Sequence, residues 1–365
     1  METAPFGKSG REITRLGFGG IPILRGDYET AAAALNLALD LGITYIDTAR
    51  NYRDSESYIG RAVGHRRSEY VLSSKTGKRP AAEARAELET SLNNLQTDHL
   101  DLYYLHTVSS MEEWRKVVET ERTLDEFRKM KDEGLIGSIA VSIHRDLRVM
   151  KLAIESGWFE HMMLAYSLID QENVGGEILP MAAEHGIGIH IMKALGGGGM
   201  VPTTETGLSA EECRLAVRDS IRFVLANPHV TCCLVGFSNA DHVRQAVEAA
   251  EMPRITTEET DNVRRLIART RKSYRYGQVC LRCGYCQPCP EGIPIPAIFR
   301  AADAYRSYPD DVKDVAVDMY MKLDFDPDNC TECRTCVEKC PAGIDIPERL
   351  KQVARAFEEK NPELA

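Results

Sequence analysis

Short apolar runs alternate with amphipathic helical stretches between Leu16 and Ala250, and the alternation repeats eight times. The runs are almost continuously apolar, which is typical of parallel strands buried on both faces of a sheet. Eight strand–helix repeats are the number that closes a (β/α)8 barrel, the TIM barrel. The predicted strands are Leu16–Gly20, Tyr45–Asp47, Tyr70–Lys75, Leu100–His106, Ser138–Ile143, Met162–Ser167, Gly188–Met192 and Thr231–Val235.

Each strand is followed by a predicted helix, and Phe6–Arg15 is predicted to form a β-hairpin ahead of the first strand. A doubly wound open sheet is the alternative, but it usually carries a glycine-rich dinucleotide fingerprint after its first strand. The segment Leu16–Pro22 does not fit that fingerprint. The predicted helices are Glu29–Leu41, Ser55–Val63, Ala82–Leu95, Leu124–Glu133, Asp146–Glu155, Glu177–His185, Glu211–Ala226 and Asp241–Ala250.

The chain has 365 residues and a formal net charge of −10. That length suffices for one large barrel and a small second domain. The acidic balance argues against general nucleic-acid binding. No apolar run approaches the roughly 20 residues that span a bilayer, and no secretory signal is visible at the N-terminus. We therefore expect a cytoplasmic protein that binds neither nucleic acid nor membrane.

Eight of the 11 cysteines lie in two tight runs after residue 279. The first run has the spacing C-x2-C-x2-C-x2-C-P, and the second has C-x2-C-x2-C-x3-C-P, the spacing of bacterial-type ferredoxins. A related tail follows each run, Pro290–Pro296 and Pro341–Pro347, which indicates an internal duplication. Helical stretches predicted at Pro296–Arg306 and Val312–Lys322 make this region similar to the helical ferredoxin modules of redox enzymes.

In ferredoxin-type spacing, three close thiolates bind one iron–sulfur cluster and the cysteine before proline binds the partner cluster. This rule predicts two [4Fe–4S] clusters. Two zinc sites are the alternative, although structural zinc sites usually take their ligands from two separated C-x2-4-C pairs. The predicted ligand sets are Cys280, Cys283, Cys286 and Cys340 for one cluster, and Cys330, Cys333, Cys336 and Cys289 for the other.

The predicted domains are a barrel over residues 1–255, a helical connector over 256–279 and a cluster domain over 280–365. Three consecutive predicted strands of the barrel end at Asp47, Lys75 and His106. Tyr52 lies in the loop just after the strand that ends at Asp47. Active sites of β/α barrels lie at the C-terminal ends of the strands. We therefore expect these four side chains to meet at one rim.

These side chains suit the reduction of a carbonyl by hydride, because the carbonyl oxygen must also gain a proton. A phenol with an ordinary pKa of ~10 is too weak an acid unless a nearby cation stabilises the phenolate. Lys75 supplies that charge beside Tyr52, and Asp47 pairs with the buried ammonium. His106 would donate a hydrogen bond to the carbonyl oxygen or help to relay the proton.

The segments Ile46–Tyr52, Ser73–Lys75 and Asp101–His106 resemble motifs of the aldo/keto reductase family, and the resemblance extends from about Phe6 to Ala250. It implies an NAD(P)H-dependent carbonyl reductase on a (β/α)8 barrel. The implied roles are acid/base for Tyr52, tuning of its acidity for Lys75 and Asp47, and orientation of the carbonyl for His106.

The resemblance also implies the positions of cofactor contacts. The nicotinamide would meet Ser142, although Ile143 stands where the family usually has Asn, and the pyrophosphate would meet the glycine-rich loop after Met192. The adenosine end would meet the segment after the eighth strand, where Phe237 and His242 replace the usual basic residues. Both NADP and NAD therefore remain open. The implied cofactor contacts are Gly20, Ser142, Lys193, Leu195, Gly196, Gly236, Ser238, Asn239 and Arg244.

The leading hypothesis is an iron–sulfur aldo/keto reductase that reduces a small or sugar-like aldehyde or ketone with NAD(P)H. Its clusters would be structural, sense oxygen, or exchange electrons with a ferredoxin or another redox partner. The competing hypothesis is an electron-transfer or redox-sensing protein whose barrel binds a partner or a different cofactor. Hydride carries two electrons together whereas clusters move one at a time, so the two halves need not share one reaction.

Overall fold

The computed structural model describes most of the chain, and the predicted ligand Cys283 and the last residue of the glycine run, Gly199, lie outside the described residues. The predicted connector is described only as far as residue 270. The described residues are 1–7, 9–144, 146–168, 174–198, 201–202, 206–270, 280, 284–307, 313–323, 326–340 and 342–362.

Eight parallel strands form a closed barrel, which confirms the predicted (β/α)8 fold. Each strand pairs with the next along the chain, and the last pairs with the first through the register Val235 with Phe18. The bounds agree with the predicted ones to within two residues. The strands are β3 Leu16–Gly19, β4 Tyr45–Asp47, β5 Val71–Thr76, β6 Leu100–Leu105, β7 Ile136–Ile143, β8 His161–Ala165, β9 Gly188–Met192 and β10 Cys232–Gly236.

The helices between and after the strands bury one apolar face each. In the first helix the buried residues include Ala31, Ala34, Leu35 and Ala38, which share one face at the helical repeat of 3.6 residues. Its N-terminus is capped by Asp27, whose side chain accepts a hydrogen bond from the backbone N–H of Thr30. The helices are α1 Tyr28–Asp40, α2 Ser55–Val63, α3 Ala81–Leu95, α4 Met111–Arg115, α5 Thr123–Asp132, α6 Leu147–Glu155, α7 Leu179–Glu184, α8 Ala210–Ala226 and α9 Ala240–Glu251.

The N-terminal hairpin pairs β1 Thr3–Pro5 with β2 Glu12–Thr14. It therefore begins three residues before the predicted start at Phe6. Phe6 itself is buried and stacks on His161, at the start of β8, with ring centroids 4.5 Å apart. Burial of this aromatic ring among the residues of the barrel interior explains why Phe6 leaves the first strand and turns inward.

The segment between β6 and α5 contains the short helix α4, which is absent from the predicted helices, and a π-helical turn at Lys116–Thr120. Ser110 caps α4 by accepting a hydrogen bond from the backbone N–H of Glu113. Trp114 of α4 is buried and stacks on Trp158, with centroids 5.7 Å apart. This ring therefore contributes to packing around the barrel.

The C-terminal region is helical and has its own apolar core. Its two halves repeat the same turn: Gly292 and Gly343 both have positive φ, and each donates its N–H to the cysteine three residues earlier, over 3.0 Å. A helix then begins in each half at a buried isoleucine, Ile295 in the first and Ile346 in the second. This confirms the expected helical character of the domain. The helices are α10 Thr257–Arg269, α11 Ile295–Ser307, α12 Lys313–Met321, α13 Thr335–Glu338 and α14 Ile346–Glu358.

Contacts divide the chain into two compact units, and the second comprises residues 168–170, 195–220 and 256–365. The predicted division at residues 255 and 279 stays a prediction. Across the described part of the chain, the helices are too short or too polar to cross a membrane.

Candidate active site

The four side chains expected at the barrel rim lie close together in the structure. Asp47 is the last residue of β4, Lys75 lies one residue before the end of β5, and His106 follows β6 directly. The ring of Tyr52 has its centroid 5.2 Å from Lys75 Nζ and 5.9 Å from the centroid of the His106 ring. Because parallel neighbouring strands end at one face, residues far apart in sequence converge there.

Lys75 is fully buried, and its ammonium group is surrounded by acceptors. Nζ donates to both carboxylate oxygens of Asp47, at 2.5 and 2.6 Å, and to the carbonyl oxygen of Thr48 at 2.5 Å. Burial lowers the pKa of Lys75 and raises the pKa of Asp47, and the attraction between the two charges opposes both changes. The three acceptors compensate for the desolvation of the ammonium, so Lys75 can act as a fixed positive charge below the rim.

Tyr52 is held by a tight turn between β4 and α2. Its backbone N–H donates to Ala49 O over 3.0 Å, and its own carbonyl accepts from the backbone N–H of Ser55 over 2.9 Å. Arg53 follows in the left-handed region, at φ 46°. The side chain of Tyr52 is half-buried, in contrast to the fully buried Lys75. The phenol therefore combines access to solvent with proximity to a buried cation.

His106 is 3% exposed, and burial lowers its pKa well below the ordinary value. The positive charges of Lys75, Arg79 and Lys193 lower the pKa further. Arg79 also fixes the backbone here, because it donates to the carbonyl oxygen of His106 at 2.7 Å. A neutral imidazole still has one N–H, so His106 is suited to donate a hydrogen bond without adding a charge.

The loop that carries Tyr52 is anchored by a second buried carboxylate, Glu56, which is 0% exposed. Glu56 forms an ion pair with Arg50 and accepts hydrogen bonds from Ser74 at 2.6 Å and from Asn94 at 3.2 Å. These contacts join the first turn of α2 to β5 and α3, so they limit the movement of the Tyr52 turn. This carboxylate was not identified from the sequence, where it reads as an ordinary acidic residue in the first turn of a helix.

Two of the implied cofactor contacts are buried within the barrel. The Ser142 hydroxyl accepts a hydrogen bond from the backbone N–H of Thr107 at 2.8 Å, and this holds Thr107 at φ 59° next to His106. Gly20 donates its N–H to Asp47 O at 2.8 Å, and a Cβ at Gly20 would lie 2.8 Å from the same oxygen. Both residues therefore support the backbone around the rim, and their contact with a cofactor stays a prediction.

Other implied contacts follow β9 and β10. Lys193 has φ 63°, and its charge is close enough to His106 to lower that pKa. Leu195 and Gly196 continue the loop after Lys193, and Gly196 has positive φ. At the end of β10, Gly236 is exposed and leads to Ser238. Positive φ and missing Cβ atoms allow the backbone to approach a ligand closely.

The N-terminus of α9 carries the remaining implied contacts. Asn239 caps the helix by accepting from the N–H of His242 at 3.0 Å, and Arg244 is paired with Asp241 at 3.1 Å. Burial and the positive charge of Arg25 lower the pKa of His242. Arg25, at the end of the 3-10 turn after β3, was not identified from the sequence, because no motif links it to a helix more than 200 residues later.

The described cysteines of the C-terminal region line two cavities. Cys280, Cys286 and Cys340 line one cavity together with apolar side chains such as Phe299 and Ile344. The lining of the other cavity includes three charged residues, Glu291, Glu332 and Arg334. The cysteines that line this second cavity are Cys286, Cys289, Cys330, Cys333 and Cys336.

The thiols of the second cavity are close enough to interact electrostatically. Burial raises the pKa of Cys336, and the thiols of Cys330, Cys289 and Cys333 raise it further. Cys333 is exposed, and its hydrogen bonds with the backbone and the side chain of Thr335 lower its pKa. Cys289 thus lies with the second run, although it belongs to the first in sequence. Among the described side chains, no group of three or more His, Cys, Asp or Glu is arranged to hold a metal ion.

Comparison with known proteins identifies two families along the chain. The family model described as "Aldo/keto reductase family" matches residues 15–216, and a model described as "4Fe-4S dicluster domain" matches residues 277–344. The oxidoreductase YqkF of Bacillus subtilis (strain 168) is 27% identical over 298 residues, which cover 71% of this chain and 94% of YqkF.

Solved structures show the same barrel. The aldo-keto reductase AKR11C1 from Bacillus halodurans, in its holo form, has a TM-score of 0.61 at 26% identity, over 73% of this chain and 96% of that one. An aldo-keto reductase from Klebsiella pneumoniae in complex with NADPH has a TM-score of 0.61 at 24% identity, over 73% and 95%, and this likeness concerns the fold. The chain therefore belongs to the aldo/keto reductase family of NAD(P)H-dependent oxidoreductases, and it carries a 4Fe-4S dicluster domain in addition to the barrel.

Proposed function

We propose that the barrel reduces a small or sugar-like aldehyde or ketone, with Tyr52 as the proton donor. The observation that carries this proposal is the fully buried ammonium of Lys75, held by Asp47 and Thr48, 5.2 Å from the centroid of the Tyr52 ring. Burial of an ion pair by itself adds little stability, so we assign to this ammonium an effect on the neighbouring phenol.

Each of the four residues has a distinct task in the proposed reaction. Tyr52 donates its phenolic proton to the carbonyl oxygen, and the positive charge of Lys75 stabilises the phenolate that remains. Asp47 keeps Lys75 protonated despite its burial. His106 donates a hydrogen bond to the carbonyl oxygen and so orients the carbon for attack. A bound reduced nicotinamide supplies the hydride.

We propose that the nicotinamide lies beside Ser142 and Lys193, and that the adenosine end lies at the N-terminus of α9. Two arginines support the second placement, because the charge of Arg25 acts on His242 and Arg244 lies in the second turn of α9. Backbone N–H groups at a helix N-terminus favour a phosphate. These basic side chains favour NADP over NAD, since only NADP carries a 2′-phosphate.

We further propose two [4Fe–4S] clusters in a domain that follows a barrel of residues 1–255 and a connector of residues 256–279. The two cavities support this number, because thiols from both runs line each of them. Cys280, Cys283, Cys286 and Cys340 would hold one cluster, and Cys289, Cys330, Cys333 and Cys336 the other. The exchange of electrons with a ferredoxin or another redox partner belongs to the same proposal.

A screen of aldehydes and ketones with NADPH and with NADH, under anaerobic conditions, tests the reaction. The comparison that matters is Tyr52→Phe against Tyr58→Phe. Both side chains are half-buried, and Tyr58 makes an edge contact with Tyr28 away from the four rim residues. We expect Tyr52→Phe to lose carbonyl reduction by roughly 100-fold or more, and Tyr58→Phe to keep it.

The same screen distinguishes the reductase proposal from the competing electron-transfer hypothesis. Cys336→Ser should change the iron content and the colour of the protein more than its turnover. If Tyr52→Phe is fully active and Cys336→Ser abolishes activity, the reductase proposal is wrong and the clusters carry the function.

A further inference from the structure

A chain of polar side chains runs through the barrel interior below Asp47. Its members come from four strands, and all are fully buried: Ser73 of β5, Tyr45 of β4, Tyr104 of β6 and His190 of β9. Buried polar groups in a barrel core are costly unless they are hydrogen-bonded, so their arrangement calls for a physical account.

Consecutive hydrogen bonds connect these side chains. The Ser73 hydroxyl donates to Asp47 Oδ1 at 2.7 Å, and the Tyr45 hydroxyl donates to Ser73 Oγ at 3.1 Å. The hydroxyls of Tyr45 and Tyr104 are 3.0 Å apart, and that of Tyr104 is hydrogen-bonded to His190 Nδ1. Tyr45 also lies 3.2 Å from His190 Nδ1.

The direction of donation follows from the carboxylate, which accepts hydrogen bonds and does not donate them. Each hydroxyl has a single proton to give. Ser73 gives its proton to Asp47, and Tyr45 gives its proton to Ser73. The Tyr45 oxygen is then free to accept from Tyr104. If Tyr104 donates to Tyr45, the Tyr104 oxygen accepts from His190 Nδ1, which then carries a hydrogen. If Tyr104 donated to His190 instead, no proton would remain for the 3.0 Å contact between the two tyrosine hydroxyls.

The other end of the His190 ring supports this direction. His190 Nε2 is buried and has no hydrogen-bond partner among the described residues. A hydrogen on Nε2 would be a buried donor with no acceptor, which is a costly state. A hydrogen on Nδ1 leaves a lone pair, not an N–H, without a partner at Nε2, and it completes the chain of donors that ends at Asp47.

We propose that His190 is a positioning residue for the reductase reaction: its Nδ1–H orders the hydroxyls of Tyr104, Tyr45 and Ser73 so that Ser73 always donates to Asp47. Ordered in this way, the chain keeps the Asp47 carboxylate ionised and aligned with Lys75. This inference rests on the proposed function, because it concerns the pair that tunes Tyr52.

Apart from the Asp47–Lys75 pair, the titratable groups around this hydrogen-bonded chain are neutral. Burial raises the pKa of Tyr45 and of Tyr104 well above the ordinary value, and it lowers the pKa of His190 well below its own. His190 is faced by Tyr45, Tyr104, Lys75 of β5, His161 of β8 and Cys232 of β10.

Neither of the last two neighbours brings a charge at neutral pH. Burial lowers the pKa of His161 to about 4 and raises the pKa of Cys232 well above its ordinary value. The hydrogen-bonded chain therefore acts on Asp47 through the orientation of the hydroxyl groups of Tyr104, Tyr45 and Ser73. Loss of that orientation weakens the bond from Ser73, a bond that lowers the pKa of Asp47.

The first test measures the tautomer of His190 in the anaerobically purified full chain. Long-range 1H–15N NMR of histidine-labelled protein distinguishes a hydrogen on Nδ1 from one on Nε2, and the spectrum of His190→Asn assigns the signal. We expect the Nδ1–H tautomer throughout the neutral range. An Nε2–H tautomer would reverse the donors in the chain and overturn the inference.

The second test measures the pH dependence of kcat/KM for carbonyl reduction. Tyr104→Phe and His190→Leu should move the acid limb to higher pH by about one unit, because a weaker hydrogen bond to the carboxylate raises its proton affinity about tenfold. His190→Asn keeps a donor near the position of Nδ1, so it should restore most of the shift.

Tyr103→Phe is the matched control, because Tyr103 is the adjacent, fully buried tyrosine of β6 and packs on Phe127 outside the barrel interior. It should leave the acid limb unchanged. If Tyr104→Phe lowers kcat at all pH values and does not move the limb, its role is structural only and the inference is wrong.

The two tests separate this inference from the proposed function. If Tyr52→Phe abolishes reduction but Tyr104→Phe has the same acid limb of kcat/KM as the native protein, only the role of His190 is overturned. If Tyr52→Phe is fully active, the proposed function is overturned, and the role of His190 in it falls as well, whichever tautomer NMR reports.

Discussion

Breaking the buried Lys75–Asp47 pair from either side should destabilise the barrel by about 3–5 kcal/mol, the usual cost of an unpaired buried charge. Lys75 is 0% exposed and Asp47 is 4% exposed, so water cannot replace the lost partner. Lys75→Met leaves a buried carboxylate with the hydrogen bond from Ser73. Asp47→Asn leaves the ammonium beside a neutral amide and the carbonyl oxygen of Thr48.

The double variant Asp47→Asn/Lys75→Met removes both charges together. It should therefore cost much less than the sum of the single variants, with a coupling energy of about 3 kcal/mol or more between the two sites. A neutral pair would then be nearly as stable as the native pair. Such a result would indicate that the charges are retained for their effect on Tyr52.

Chemical denaturation of the anaerobic full chain, followed by tryptophan fluorescence, measures these free energies of unfolding. The chain has two tryptophans, Trp114 and Trp158, which stack on each other beside the barrel and so report on its unfolding. Lys78→Met is the matched control, because Lys78 pairs with Glu83 at 2.8 Å while both side chains are about half exposed. That pair should contribute less than about 1 kcal/mol.

Two outcomes would refute this reasoning. One is a cost of Lys75→Met no larger than that of Lys78→Met. The other is a double variant whose destabilisation equals the sum of the single ones, since the two charges would then not interact.

Three further results are expected. Burial lowers the pKa of His161 from 6.5 to about 4, so below pH 6.5 the unfolded chain binds a proton that the folded barrel does not bind. The free energy of unfolding should therefore fall by about 3 kcal/mol as the pH decreases through that range, and His161→Phe should flatten this dependence in denaturation curves. Iron analysis should find about eight irons per chain and a loss of about half of them in Cys336→Ser, whereas Cys213→Ser should keep them all. Arg25→Ala and Arg244→Ala should each weaken NADPH binding by roughly fivefold or more and leave NADH binding unchanged in fluorescence titrations.

For each of these three predictions, one outcome would contradict the reasoning. An equal pH slope in His161→Phe would mean that another group controls acid stability. Full iron retention in Cys336→Ser would remove Cys336 from the ligand set. Equal losses for NADPH and NADH in Arg25→Ala would show that Arg25 does not recognise the 2′-phosphate.

The barrel was predictable because its strands are short, apolar and buried on both faces, so their order and number are visible in the sequence. The convergence of Asp47, Lys75 and His106 followed from the topology alone, since strand ends meet at one rim. Helix α4 was not predicted, because five residues rich in charge lack a helical repeat. Phe6 lies outside the strands of the hairpin that it was predicted to begin, because its ring is buried in the barrel interior.

Inward-facing contacts were harder to predict than the rim. Tyr45, Tyr104 and His190 look like ordinary strand residues, and their meeting depends on the register of three strands across the barrel interior. Glu56 gave no signal either, because its partners come from another strand and another helix. Sequence spacing shows which residues share an element, and tertiary packing decides which of them touch.

The most direct test of the proposed chemistry is the single-turnover rate of hydride transfer, measured by rapid mixing of the nicotinamide-loaded full chain with a carbonyl substrate. Tyr52→Phe should lower this rate by roughly 100- to 10,000-fold, the usual contribution of a general acid, while nicotinamide affinity stays within about twofold of the native value. An unchanged rate in Tyr52→Phe would contradict the assignment of Tyr52 as the proton donor, and with it the role given to Lys75.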